Sequence, residues 1–372
     1  YGNMPGLRHL FQNADFLRLY ADQFRDLTET VYKPEILNRV VDDVLGGWIP
    51  DKKIQEIKEF IPLRINIIMS QFKSRTVVGT TMGSVKGLHK ATSTEFALYG
   101  SFDMGSVDSV TVGGLEPKVF KRTGTWILPP KRIAEVVNPG FNQIPVIMRN
   151  QSGDVVQQET LRVWLDTGSV KELSGELAKS GHRWTAADGP YLLKGDVTLP
   201  KGGSLVVEPG TTVYASVDAR LIIRGDLAIT GQANKRVIFT ADPRSEGNPH
   251  WLGIQIDGGN TALTHVDLFD LKDGLLVTQA NVAMEHVHFT AVDGGGLIFE
   301  RAKVSALHSV FERYSPSNKG FIFSMQGDIR FEHCEIHRSP NSGPAFVSES
   351  MDHLKFKLIG NRFVGGPTPV ID

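Results

Sequence analysis

The residues best suited to chemistry lie in the second half of the chain. Asp267, Asp270 and Asp273, in the phrase HVDLFDLKD, form its strongest acidic cluster. Paired carboxylates cleave glycosidic bonds when one protonates the leaving oxygen and the other activates water. Acids gathered in the same way hold calcium, and calcium-assisted elimination adds a basic residue to abstract a proton. These three share one short stretch, and the equivalent places further along carry His, Phe, Ala and Glu. The acids do not extend into a groove. A solvated edge where a strand turns is the expected reading, with a catalytic or calcium site as the alternative. Glu300 beside Arg301, and Glu349, have no basic row with them and read as exposed. No catalytic residue is assigned, and calcium is the one cofactor these acids would admit.

Four histidines recur in the phrases THVDL, EHVHF, LHSVF and EHCEI: His265, His286, His308 and His333. A metal ligand set is the sharper reading. Imidazoles repeated at strand spacing, about 4.8 Å, are better placed to stack and pack than to converge on one ion. A structural ladder is therefore expected. Cys334, beside His333, reads as a small buried apolar residue rather than a reactive thiol. The sequence has no phosphate-binding glycine loop, no Gly-x-Ser-x-Gly elbow and no Cys-x-x-Cys pair.

The elements that carry these residues repeat. Gly274, Gly296, Gly320 and Gly343 each head a short apolar strand, at spacings of 22, 24 and 23 residues. A second apolar stretch follows each one: 282–289, 304–311, 329–336 and 354–363. Apolar residues that one coil cannot bury must be covered by its neighbours, which gives a stacked solenoid with two or three strands per coil. The stretch YLLKGDVTLPKGGSLVVEPGTTVYASVDARLIIRGDLAITGQANKRVIFTA, followed by WLGIQI, resembles the opening rungs of pectate-lyase-like surface β-helices. The resemblance implies a right-handed parallel β-helix over residues 184–372, with roughly eight short rungs. It implies no activity, since lyases, hydrolases, adhesins and inert stalks share this scaffold.

Residues 1–75 are helical by pattern. Phe16, Tyr20, Phe24, Leu27 and Val31 form one stripe, and Ile36, Leu37, Val40, Val41, Val44 and Leu45 form a second behind Pro34. Gly46 and Gly47 stop the second helix. A third starts at Asp51, with Pro62 expected to kink or divide it. The segment FQNADFLRLYADQFRDLTETVYKPEILNRVVDDV resembles the C-terminal helices of the spore-coat protein H (CotH) kinase-like family. No catalytic residue of that family falls within it. Residues 76–168 alternate with period two between turns such as Gly113-Gly114 and Pro139-Gly140, as half-buried antiparallel strands do. VDSVTVGGL, TGTWILPP and LRVWLDT resemble the strands of bacterial Ig-like modules, with Trp126 and Trp164 as core aromatics. Residues 169–183 read as a linker.

Length and composition agree with a modular chain. The 372 residues suit two or three domains. Forty Lys plus Arg against 41 Asp plus Glu leave a formal charge of −1, which argues against a nucleic-acid or anionic-membrane partner. The single cysteine excludes an intrachain disulfide framework, and no apolar run approaches membrane-spanning length. The first and last residues suggest an excerpt of a longer precursor. The expected role is a non-catalytic structural or adhesive part of a larger secreted or cell-surface protein that meets other proteins or glycans. An open β-helix end would offer a route to self-assembly. Two alternatives are a polysaccharide lyase or glycosidase acting on the β-helix face, and an accessory region of a CotH-like kinase.

Overall fold

The computed structural model describes residues 16, 19, 23, 26–28, 30–70, 75–79, 84–85, 88–121, 123–247, 249–293, 295–313, 320–339 and 343–366. Tyr20, Phe24 and the chain end beyond 366 lie outside the described residues. Phe16 and Leu27 are helical, and Val31 lies in a turn. Helix α1 (Pro34–Leu45) starts with its proline in the first turn, where no backbone N–H is needed. Gly47, at φ +81°, follows its end. Helix α2 (Asp51–Ser70) runs unbroken through Pro62, so the expected division is absent. Lys58 Nζ donates to the Asp42 carboxylate at 2.7 Å between these helices. Ile54 is buried, whereas Val40, Val44, Phe60 and Leu63 are exposed.

The chain forms two compact units, one of Tyr1–Val137 with Ile144–Arg162 and one of Asn138–Gln143 with Val163–Asp372. Outside its helices, the first unit is built on a four-stranded and a five-stranded sheet. Antiparallel pairings include Arg75–Gly79 with Ala97–Ser101 and Ser109–Val112 with Gly140–Arg149. Alternate side chains are buried along Ala97–Ser101, Ser109–Val112 and Gly140–Arg149, and Leu98, Val112, Leu128 and Met148 are fully inaccessible. Trp126 and Trp164 are both buried, the second of them within the other unit.

The second unit is a right-handed parallel β-helix of about seven turns, from about residue 171 to 364. It begins earlier than the sequence suggested. Strands Lys171–Glu176 and His182–Trp184, in and beside the stretch read as a linker, pair in parallel with Tyr191–Leu199 and Ser204–Val207. Their polar alternate residues hid them.

Each coil has three faces, termed A, B and C in chain order. Face A stacks 191–193, 213–215, 237–241, 266–268, 288–291, 310–313, 335–338 and 362–364. Inward residues repeat down each face. On face B, Val197, Leu221, Ile254, Leu275, Leu297, Ile322 and Phe346 are successive partners, all nearly or fully buried. On face C, Val207, Ile229, Leu263, Met284, Ala306 and Phe331 do the same. No coil could bury this surface alone, so the stack is cooperative between neighbours.

Two features of the expected repeat are corrected by the register. Gly253, Gly274 and Gly296 are partners, but the next places in that column belong to Phe321 and Ala345. Gly320 and Gly343 precede those places by one and two residues, because the connections before them differ in length. Glycine is required at 274: its φ is +97°, and a Cβ there would lie 2.0 Å from the Gly296 carbonyl oxygen. The second correction concerns 282–289 and its counterparts. Each is two strands, the last of face C and the first of face A, divided by a corner.

Candidate functional site

That corner is where the histidines sit. His265, His286, His308 and His333 each take a left-handed backbone, with φ of 48°, 54°, 49° and 51°. Such φ values are uncommon for residues with a Cβ, and His is among the few side chains enriched there. A single left-handed residue turns the chain sharply, and so one histidine can make the bend where the early coils use longer loops, 208–211 and 231–236. Backbone hydrogen bonding continues through the bend. The amide of His265 donates to the Glu285 carbonyl at 3.0 Å, that of His286 to Leu307 at 3.1 Å, that of His308 to Glu332 at 3.1 Å, and that of His333 to Ile359 at 2.8 Å.

Their rings form one column. Successive centroids are 4.5, 5.5 and 5.4 Å apart and the planes are within 8°, 16° and 15° of parallel. Gly360 occupies the next place, at φ +60°, and a Cβ there would stand 2.6 Å from the His333 Nδ1. The column is exposed along its later part and half-buried at His265 and His286. Burial, then the neighbouring His286 and Arg236, hold the His265 imidazole below its ordinary value.

The three aspartates go to three different places. Asp267 is buried, accepting from Arg236 Nε and from Gln143 Nε2, each at 2.7 Å. Asp270 Oδ2 accepts from the Thr240 hydroxyl at 2.6 Å and from the Ala241 amide at 3.3 Å. Asp273 pairs with Arg220 at the surface. Each carboxylate therefore has its own protein partners. Among the described residues, no group of three or more His, Cys, Asp or Glu is arranged to hold a metal ion. Arg301 pairs with Glu300 at 2.6 Å. Glu349 lies in strand Phe346–Ile359, and its side chain is outside the described residues. Cys334 is buried, its Sγ 3.3 Å from the Glu332 carbonyl oxygen, and burial pushes its thiol up.

Several residues escaped the reading of the sequence. Arg236 joins three coils: besides its bond to Asp267 it donates through Nη2 to the carbonyls of Val266, at 2.9 Å, and His286, at 2.7 Å. On the outer side of face A, His288 Nε2 lies 2.9 Å from Glu312 Oε2. His337 lies between Glu312, 3.7 Å from Nδ1, and Glu335, 3.0 Å from Nε2. Arg362 is 3.5 Å from Glu335. The alternation in EHVHF and EIHR was the available signal. Taking 282–289 as one strand put His286 and His288 on the same side and hid the difference between them.

A recess lies on face C. Small outward residues, Ala228, Ala262 and Ala283, floor a shallow concavity of about 560 Å³, with Asp226, Asn260 and Asn281 along one edge. Asn281 Nδ2 donates to Asn260 Oδ1 at 3.1 Å. Asn281 and Lys303 also border a second recess of about 350 Å³ at the corner between faces B and C. Amide and hydroxyl edges over a flat floor suit contact with an extended polar chain and carry no convergent acid pair. No protein-family model, curated protein or solved structure matches this chain.

Proposed function

We propose that this chain is a non-catalytic structural or adhesive part of a larger secreted or cell-surface protein. Its β-helix acts as a stiff surface for other proteins or glycans. The observation that carries this reading is the separate commitment of Asp267, Asp270 and Asp273 to Arg236, Thr240 and Arg220. A carboxylate whose oxygens are engaged by an arginine or a hydroxyl is not aimed at a glycosidic oxygen, and three acids committed to three separate partners do not form an acid–base pair. The regular outer face C and its shallow recess fit contact over several coils. The exposed apolar side chains of α1 and α2 favour a helical segment that packs against further protein, consistent with the end of a CotH-type domain, and the two-sheet unit fits an Ig-like spacer.

The test is retention and turnover on a panel of neutral and acidic polysaccharides with calcium present. Retention without release of reducing or unsaturated ends, weakened by Ala262→Arg or Ala283→Arg in the face C recess, supports the reading. Turnover abolished by Asp270→Asn or Asp273→Asn in a folded protein would instead make the β-helix an enzyme.

A further inference from the structure

We propose that the His265–His286–His308–His333 column is an acid-sensitive latch, closing the corner between faces C and A over four coils while its rings are neutral and loosening it when adjacent rings are protonated together. Neutral imidazoles stacked at 4.5–5.5 Å pack favourably, whereas two imidazolium rings held face to face at that distance repel. The ring stack and the continuous amide ladder hold the left-handed backbone at each bend. Repulsion between rings acts directly on those bends, because each ring is attached to the residue that makes the turn.

The charged surroundings do little to relieve that repulsion. Arg236 Nη1 lies 3.4 Å from the His265 Nδ1 and adds positive charge at the buried end. Asp267 is committed to Arg236. Glu285 stands 4.0 Å from His286 Nε2 and is half exposed, too far for a hydrogen bond and open to screening by solvent. Glu332, next to His333, is paired with Arg330 at 2.6 Å. His288, Glu312, Glu335 and His337 bond among themselves on face A. Because the His265 ring is held below its ordinary value, its stabilising contribution is complete above about pH 6.5 and is lost as pH falls through that value toward the folded one.

The test is amide hydrogen exchange of the full chain at pH 7.5 and pH 5.0, corrected for intrinsic rates. The expected result is about a tenfold or greater loss of protection at pH 5.0 for the amides of residues 265, 286, 308 and 333, with the face B amides of 275–277 and 297–299 unchanged. The variant His286→Asn/His308→Asn keeps side chains that tolerate a left-handed backbone but do not titrate, and its corner protection should be nearly independent of pH. A wild-type corner with unchanged protection, or a variant that loses protection as the wild type does, overturns the proposal. If the variant does not fold, proton NMR of the wild-type imidazoles decides: titration with a Hill slope below one supports coupled rings, and four independent curves of unit slope overturn it.

Discussion

Two sets of histidines stand side by side on the same coils and meet different neighbours. At the corner, His286 and His308 face other imidazoles; two to four residues later, His288 and His337 face Glu312 and Glu335. A proton added to the face A set arrives within hydrogen-bonding reach of a carboxylate, and one added to the column arrives beside another ring, with Arg236 at 3.4 Å from His265 and the Glu285 carboxylate no nearer than 4.0 Å to His286. The cause lies in register. The corner brings like positions of successive coils together, so one residue type stacks on itself. Face A brings unlike positions together: Asp267, His288, Val310 and Glu335 are successive partners, as are Thr290, Glu312 and His337. In a solenoid, a strict repeat stacks like on like, and a broken one allows complementary pairs.

The largest effect is expected where the column is anchored. Asp267→Ala leaves Arg236 mostly buried beside His265 without its counter-charge, and should cost about 3–5 kcal/mol in urea unfolding followed by circular dichroism. A loss below about 1 kcal/mol would mean that water replaces the carboxylate and that the column does not depend on this anchor. Next is the contrast between two kinds of left-handed position. Gly274→Ala drives a Cβ into the backbone of the next coil and should cost on the order of 1–3 kcal/mol or more, seen as a lower midpoint at unchanged slope.

Smaller effects separate the two histidine sets. Glu312→Gln removes the charge that His288 and His337 share, and should cost about 0.5–1 kcal/mol after allowance for the part-exposed rings. That loss should shrink with added salt, which screens part-exposed charges. His308→Gly should change stability least at pH 7.5, by within about 0.5 kcal/mol, since relief of the left-handed backbone offsets the lost ring contact. At pH 5 the same variant should be relatively more stable than the wild type. If the Glu312→Gln loss is as insensitive to salt as that of His308→Gly, the distinction between the sets fails.

Much of the β-helix was legible in the sequence because burial in a solenoid repeats. Leu275, Leu297 and Ile322 mark an inward column through local pattern and spacing alone, and the recurrence of His265, His286, His308 and His333 placed them at equivalent positions. The corner was not legible, since nothing in EHVHF distinguishes a left-handed histidine from an extended one. Rung spacing counted from glycine slipped at Gly320 and Gly343, where a turn glycine and a column glycine look alike. Pro62 did not divide its helix for a related reason: a proline inside a helix removes one hydrogen bond, and the remaining bonds can carry the helix past it.

The acidic trio shows the same division. Residue types and spacing along HVDLFDLKD put three carboxylates on one short stretch, and local pattern is enough to recognise them as polar positions beside a strand. Their partners come from elsewhere in the chain: Asp267 meets Arg236 and Gln143, Asp270 meets Thr240, and Asp273 meets Arg220. Periodicity along the chain reports which residues a strand turns inward, because that depends on neighbours two positions away. Which charge meets which depends on contacts tens of residues apart, and these exist only once the coils have stacked.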